Sequence, residues 1–279
     1  MVKSITCWAF DPSRPAAEVF RMAKDNGFEA VEVTVGEGGG QLNEPLTPQS
    51  TQDDCRRVAE QAQTAGIQIS SVASGLGWSY PVTTTEKETA RKGIEYTAQC
   101  LRQAQWLGTD AMLLVPGGVG ADFIANFKGA PYDVAYDNAL AAINELKPVA
   151  EETGVSIGVE NVWNKFLLSP LEMRDFVDKV GSPRVGVYFD VGNVLLTGYA
   201  EQWIRILGSR IKRVHFKDFK RSIGTIDGFC DLLDGDVESA AVKATLREVG
   251  YDNAVTAEFF NCESDLPKIS SAMDKILKM

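Results

Sequence analysis

The chain has 279 residues, 44% of them apolar, and 38 acidic against 28 basic side chains give it a formal charge of −10. That supports one large core or two small ones, and disfavours nucleic acid or an anionic membrane as the main partner, since both select clustered Lys and Arg. No apolar run approaches the roughly 18 residues needed to span a bilayer, and the five cysteines are odd in number, scattered and free of any Cys-x-x-Cys pair, which argues against a disulfide framework or a structural zinc site.

In chain order, short β-rich runs alternate with longer helical ones. The opening residues run straight into a strand with no secretory apolar core, so a reducing, cytoplasmic setting is expected. Strands are predicted at Ser4–Trp8, Ala30–Val35, Ile67–Ala73, Ala111–Val115, Val155–Glu160, Val185–Asp190, Ile211–Phe216 and Ala254–Phe259. Helices are predicted near 15–25, 48–65, 86–107, 133–152, 170–180, 199–208, 237–249 and 265–278. Ser169-Pro170 reads as a cap followed by a first-turn proline, and glycines at 27, 66, 108, 154, 181 and 250 read as helix stops. Eight strand-then-helix units without a linker predict an α/β fold, a single-domain (β/α)8 TIM barrel over residues 1–279. An open dinucleotide-binding sheet fits less well, because Trp8-Ala-Phe-Asp-Pro-Ser after the first strand holds no glycine. The cluster Gly36-Glu-Gly-Gly-Gly40 lacks a P-loop lysine and reads as a substrate-facing loop or a plain linker.

Four predicted strands end on residues that ligate metals: Glu160, Asp190, His215 and Glu258. His215 is the only histidine. Side chains alternate along a strand, so Ser156, Gly158 and Glu160 share one face, as do Gly186, Tyr188 and Asp190, and Ala254, Thr256 and Glu258. These small and polar sets are expected to point into the barrel, and Val and Phe on the other faces toward the helices. Arg213 shares the face of His215 and requires a buried carboxylate; Glu32, inward on the second strand, is a candidate, with partial solvation of either as the alternative. The four strand-end residues lie about 30, 25 and 43 positions apart, each spacing about one βα unit with its loop. Three carboxylates in one cleft repel unless positive charge sits among them, and one divalent cation meets that need. Three oxygen donors and an imidazole suit Mn²⁺, Mg²⁺ or Co²⁺, with Mn²⁺ the first choice.

The segments Val159-Glu-Asn-Val-Trp-Asn-Lys-Phe166, Tyr188-Phe-Asp-Val-Gly-Asn193, Val214-His-Phe-Lys-Asp218 and Thr256-Ala-Glu-Phe259 resemble the xylose-isomerase-like barrel superfamily, and within it the sugar-phosphate isomerase/epimerase group. That group includes ketose 3-epimerases of the tagatose/psicose type and L-xylulose-5-phosphate 3-epimerase. The resemblance implies Glu160, Asp190, His215 and Glu258 as metal ligands, with Glu160 and Glu258 doubling as the acid/base pair. It also implies substrate contacts at Arg221, six residues past the histidine, and at Trp8, where the group often has an aromatic wall; Trp8 reads equally well as a barrel plug. Asn193 stands where the tagatose/psicose type carries a second histidine, which brings the chain closer to the pentulose-phosphate branch. A single histidine and a charge of −10 set aside the multi-zinc endonucleases of the superfamily, and the missing second histidine sets aside the true xylose isomerases.

The expected reaction is epimerisation or isomerisation of a ketose or ketose phosphate. The cation polarises the carbonyl and one glutamate removes the neighbouring proton, which the other returns. Lys217, Lys220 and Arg221 would clamp a phosphate, but Asp227, Asp231, Asp234 and Asp236 follow, which favours an uncharged sugar. The rivals are a metal-dependent dehydratase of the inosose or dehydroshikimate type and a non-catalytic sugar-binding barrel. The group's habit suggests a homo-oligomer.

Overall fold

The computed structural model describes residues 1–37 and 46–279, so Gly38–Gly40 of the glycine cluster lie outside the described residues. Eight parallel strands close into a barrel: β1 (Val2–Thr6), β2 (Ala30–Thr34), β3 (Gln68–Ala73), β4 (Ala111–Leu114), β5 (Ser156–Glu160), β6 (Val185–Asp190), β7 (Ile211–Phe216) and β8 (Ala254–Ala257). Each strand pairs with its sequence neighbours, and β8 closes against β1, giving the order β1-β8-β7-β6-β5-β4-β3-β2. The (β/α)8 barrel expected from the alternation of patterns is the fold observed.

Eight principal helices surround it: α1 (Ala16–Asp25), α2 (Gln52–Ala65), α3 (Lys87–Leu107), α4 (Tyr132–Thr153), α5 (Pro170–Val180), α6 (Ala200–Leu207), α7 (Ser239–Glu248) and α8 (Leu266–Lys278). Their ends follow the local chemistry. Thr51 and Asp54 form a reciprocal capping box at the start of α2. The Ser169 hydroxyl accepts the Glu172 amide at 3.2 Å ahead of Pro170. All six glycine stops adopt positive φ; at Gly66 and Gly108 the left-handed turn lets the backbone amide bond back to the last turn of α2 and α3. A one-turn helix at Leu76–Ser79 and a two-residue antiparallel ladder between Asp218–Phe219 and Phe229–Cys230 lie in the loops after β3 and β7.

β2 and β4 end one residue short of their expected limits, at Thr34 and Leu114, and two other strands end two residues short. β1 stops at Thr6 because the Thr6 hydroxyl accepts the Trp8 amide and turns Cys7–Ala9 into a single 3-10 turn, which takes Trp8 off the strand. β8 stops at Ala257, so Glu258 sits just past its end, its amide still bonded to the Phe216 carbonyl at 3.1 Å.

The apolar residues segregate as the alternation predicts. Ile157, Val159, Val187, Phe189, Val214 and Val255 belong to the large cluster between barrel and helices. Ala73, Leu113, Val115 and Tyr188 form a small separate cluster inside the barrel, beneath Trp8, Trp78 and Val162. Tyr188 fits there because Gly158 on β5 has no side chain: a Cβ at 158 would lie 2.9 Å from the Tyr188 Cβ. Gly158→Ala should therefore destabilise the protein by about 1–3 kcal/mol, as overpacking does, read as a lowered urea midpoint with an unchanged slope.

Candidate active site

The four strand-end residues meet at the C-terminal mouth of the barrel. One ligand atom from each of Glu160, Asp190, His215 and Glu258 lies within 4.8 Å of the others. The His215 Nδ1 atom is 3.2 Å from Glu258 Oε2, 3.9 Å from Glu160 Oε1 and 4.0 Å from Asp190 Oδ2. β6 and β7 bring Asp190 and His215 side by side in register, while Glu160 on β5 and Glu258 after β8 flank them. Asp190 and His215 are fully buried, whereas both glutamates line a cleft of about 960 Å³ above them.

Neighbouring side chains hold the carboxylates in place. Asn161 donates to the Asp190 carbonyl at 2.8 Å and accepts the Asp190 amide at 2.9 Å, locking the end of β5 to the end of β6. The Asn193 amide N–H donates to Asp190 Oδ1 at 2.8 Å, and its Nδ2 donates to the Asn161 carbonyl at 3.0 Å and makes a long contact of 3.5 Å with Glu160 Oε1. Asn193 thus orients two of the four ligands and also lines the cleft.

A fifth charged group joins the cluster. Lys217 Nζ lies 3.1 Å from Asp190 Oδ2 and 2.5 Å from Glu258 Oε2. It reaches them because position 192 is glycine; a Cβ there would lie 2.5 Å from the Lys217 Cγ. The next residue, Asp218, is buried and accepts backbone amides from Phe219, Leu233, Gly235 and Val237, which anchors both ends of the loop after β7. Trp8 stands on the cleft wall, stacked on Phe260. Arg221 stands apart, outside the cleft lining: its guanidinium lies over the Tyr199 ring at 4.8 Å and its Nε points to the Leu195 carbonyl at 3.3 Å.

Glu32 is fully buried, and its partner is His215 rather than Arg213. Glu32 Oε1 lies 2.8 Å from His215 Nε2, and its other oxygen accepts the Ser71 hydroxyl at 2.7 Å and the Tyr188 hydroxyl. A carboxylate only accepts, so this bond places a proton on Nε2 and turns Nδ1 toward the three carboxylates. Arg213 lies two residues nearer the barrel floor, where it donates to the Ser70 carbonyl at 2.9 Å and pairs with Asp110. A single buried acid within an otherwise apolar strand, Val31-Glu-Val33, was the available signal for Glu32.

The electrostatics follow from burial and crowding. Burial raises the Glu160 carboxyl, with Glu258 adding to the effect. Burial raises Asp190 to about 7, against the pull of Lys217. Burial also works to raise Glu258, but Lys217 and His215 outweigh it and hold that carboxyl far below its usual range. Burial opposes charge on His215, yet Glu32, Tyr188, Glu258 and Glu160 together outweigh it and raise the imidazole well above its ordinary value. In the metal-free site the two cleft-facing glutamates are therefore driven apart in acidity.

This donor set fits a divalent cation. Asp190 Oδ2, His215 Nδ1 and Glu258 Oε2 are buried without a hydrogen-bond partner, although the two carboxylate oxygens lie within ion-pairing reach of Lys217. Ligands held at roughly 2.1 Å from one ion lie at most about twice that distance apart, close to the spread seen here.

Comparison with known proteins agrees with this architecture. The family model for the xylose isomerase-like TIM barrel matches residues 20–278. The chain belongs to that family. An uncharacterised protein of Methanocaldococcus jannaschii is 25% identical over 172 residues, spanning 58% of this chain and 56% of that protein. An L-ribulose 3-epimerase of a Methylomonas species is 27% identical over 210 residues, spanning 71% of this chain and 67% of that enzyme. The chain thus spans little more than half the length of the first of these relatives and about two thirds of the second. Among solved structures, a D-tagatose 3-epimerase-like protein superposes with a TM-score of 0.80 at 19% identity, covering 100% of this chain and 97% of that one.

Glu32→Gln should weaken Mn²⁺ binding about 10–100-fold, measured by calorimetric titration, because an amide can present its NH₂ to Nε2 and release the imidazole from its fixed tautomer. In chelated protein, Glu160, Asp190 and His215 all have raised pKa values, so the native state keeps protons that the unfolded chain has lost. The stability they contribute is present at low pH; that of Asp190 is lost as pH rises through about 7, and that of His215 is lost only above the ordinary imidazole range. The unfolding temperature of chelated protein should fall between about pH 6 and pH 8, and the increment from saturating Mn²⁺ should grow, both read by differential scanning calorimetry at fixed ionic strength.

Proposed function

We propose that the protein is a divalent-metal-dependent epimerase or isomerase of keto sugars, with Glu160 and Glu258 as its acid/base pair and Mn²⁺ as the preferred ion. The observation that carries this reading is the division of labour among the four residues: Asp190 and His215 are sealed beneath the cleft, and only the two glutamates face it. They arrive from β5 and β8, on either flank of the arc formed by β6 and β7. A planar intermediate seated between them would expose one face to each. The related L-ribulose 3-epimerase and the D-tagatose 3-epimerase-like fold support the same chemistry.

When bound, the cation supplies Lewis-acid polarisation of the substrate carbonyl and its neighbouring hydroxyl. The chain does the rest. One glutamate removes the proton from the carbon next to the carbonyl, giving an enediolate; the other returns a proton from the far side and inverts that carbon. Either glutamate serves as the base, according to which epimer is bound, and the other then serves as the acid. Lys217 keeps Glu258 ionised and presents an ammonium to the cleft. Asn193 steadies Glu160, and Trp8 offers a ring face to the sugar. In the cell such an enzyme needs only a small-molecule sugar as partner, and a cytoplasmic, homo-oligomeric protein fits the reading.

A ketose incubated in D₂O with Mn²⁺ and this protein should gain deuterium at C3, read by proton NMR. Glu160→Gln and Glu258→Gln should each lower the exchange rate by roughly 10²–10⁴-fold, with Mn²⁺ occupancy verified by calorimetry. Full exchange in Glu160→Gln would refute its role, and loss of the mass of water from the substrate would identify a dehydratase instead.

A further inference from the structure

The cleft is larger and more apolar than a free ketose requires. Its volume of about 960 Å³ stands at the upper end of the roughly 300–1,000 Å³ that accommodates drug-sized ligands. Polar groups concentrate on its floor, where Glu160, Glu258, Lys217 and Asn193 would engage the reacting carbons. Above the floor the walls are aromatic. Trp8 stacks on Phe260 with centroids 5.3 Å apart and planes 19° from parallel. Trp78 meets Phe123 edge-on, also at 5.3 Å. The outermost members are unusually bare for large apolar side chains: Phe123 is 43% exposed, Ile226 47% and Phe260 61%. A sugar held at the floor leaves this rim in water, and contiguous exposed apolar surface at a concave site marks a binding function.

The charge on the rim argues against a phosphate as the group that reaches it. Beyond Lys217, which is engaged by Asp190 and Glu258, the only cation among the described residues lining the cleft is Lys220. Asp234 and Asp231, the latter paired with Lys268, line the same cleft. Arg221 is drawn away to Tyr199. A dianion on the rim would meet these carboxylates with one lysine to offset them, whereas a neutral ring would face indole and phenyl surfaces.

We infer that the natural substrate is a keto sugar carrying a neutral aryl or similarly apolar substituent through a glycosidic oxygen. The sugar ketone is processed at the floor while the substituent packs between the Trp8/Phe260 and Trp78/Phe123 walls. This rests on the epimerase/isomerase reading for the chemistry at the floor, but the aromatic subsite has its own readouts.

The test compares the 3-keto derivatives of glucose, methyl β-glucoside and benzyl β-glucoside with Mn²⁺-loaded enzyme in D₂O. All three present the same ketone, and methoxide and benzyloxide are equally poor leaving groups, so elimination of the aglycone from the C2 carbanion does not separate the two glycosides. Exchange next to the ketone should show a kcat/KM at least tenfold higher for the benzyl compound than for the methyl compound, carried mainly by KM. Phe123→Ala and Phe260→Ala, both at exposed rim positions, should each lower that preference at least threefold. Cys230, partly exposed on the same cleft, supplies a chemical readout: the benzyl glycoside should slow its alkylation by iodoacetamide, and the methyl glycoside should not. Equal kcat/KM for all three sugars would overturn the inference and leave the epimerase reading standing. Protection of Cys230 by the benzyl glycoside without exchange on any sugar would sustain the subsite and overturn the epimerase reading. If Phe123→Ala and Phe260→Ala instead abolish self-association in sedimentation velocity and leave the benzyl preference intact, the rim is an interface between copies and the inference fails.

Discussion

Three carboxylates and an imidazole crowded within 4.8 Å, under a nearly sealed floor, set the terms for the rest of this molecule. Burial penalises every ionised group in that cluster, and mutual repulsion among the acids adds to the cost. Lys217 offsets part of it and Glu32 directs the imidazole, but two carboxylate oxygens and Nδ1 remain without hydrogen bonds. A site left in this condition is held by the rigidity of its surroundings. The closed barrel provides that rigidity, since each of the four strands concerned is bonded on both sides.

The supporting contacts are arranged by height along the barrel axis. At the mouth, the paired amides of Asn161 and the turn at Asn193 align Glu160 with Asp190. One level down, Glu32 collects bonds from His215, Tyr188 and Ser71. Near the floor, Arg213 reaches the Ser70 carbonyl and Asp110. The polar interior is therefore layered, and each of the lower layers satisfies its own donors and acceptors at these residues. Buried polar networks contribute specificity only when so satisfied; Asp190 Oδ2, His215 Nδ1 and Glu258 Oε2 are left unsatisfied in the layer that would hold a cation, and Thr256 Oγ1 on β8 is the further unsatisfied atom below it.

This layering explains which parts of the structure were legible in the sequence. Alternation along a strand specifies the face a side chain occupies, and it placed Glu160, Asp190, His215, Tyr188 and Arg213 inward. It says nothing about level. Arg213 and His215 share a face, yet two residues of rise send one to Asp110 and the other to Glu32. The Glu32–His215 contact joins opposite walls of the barrel across 183 residues of sequence, so it depends on strand tilt and closure, which no local pattern encodes. Trp8 reads as part of a strand because its neighbours are β-formers, and a single threonine hydroxyl, invisible to periodicity, ends the strand two residues earlier. Lys217 belongs to a basic run that reads equally well as surface charge; its entry among the carboxylates depends on the bare backbone of Gly192 on the adjoining strand end.

Asp218 gives this layout an evolutionary dimension. By gathering amides from both ends of the segment that follows β7, it closes that segment into a cassette whose stem is independent of its tip. Residues 221–227 can then diverge, lengthen or be grafted from a relative, while Phe229 and Cys230 stay paired with the stem and the Phe229 ring stays 5.1 Å from the Lys217 ammonium. Ile226 belongs to that exchangeable stretch, so the chain can retune the rim of the cleft while the four strand-end residues stay untouched.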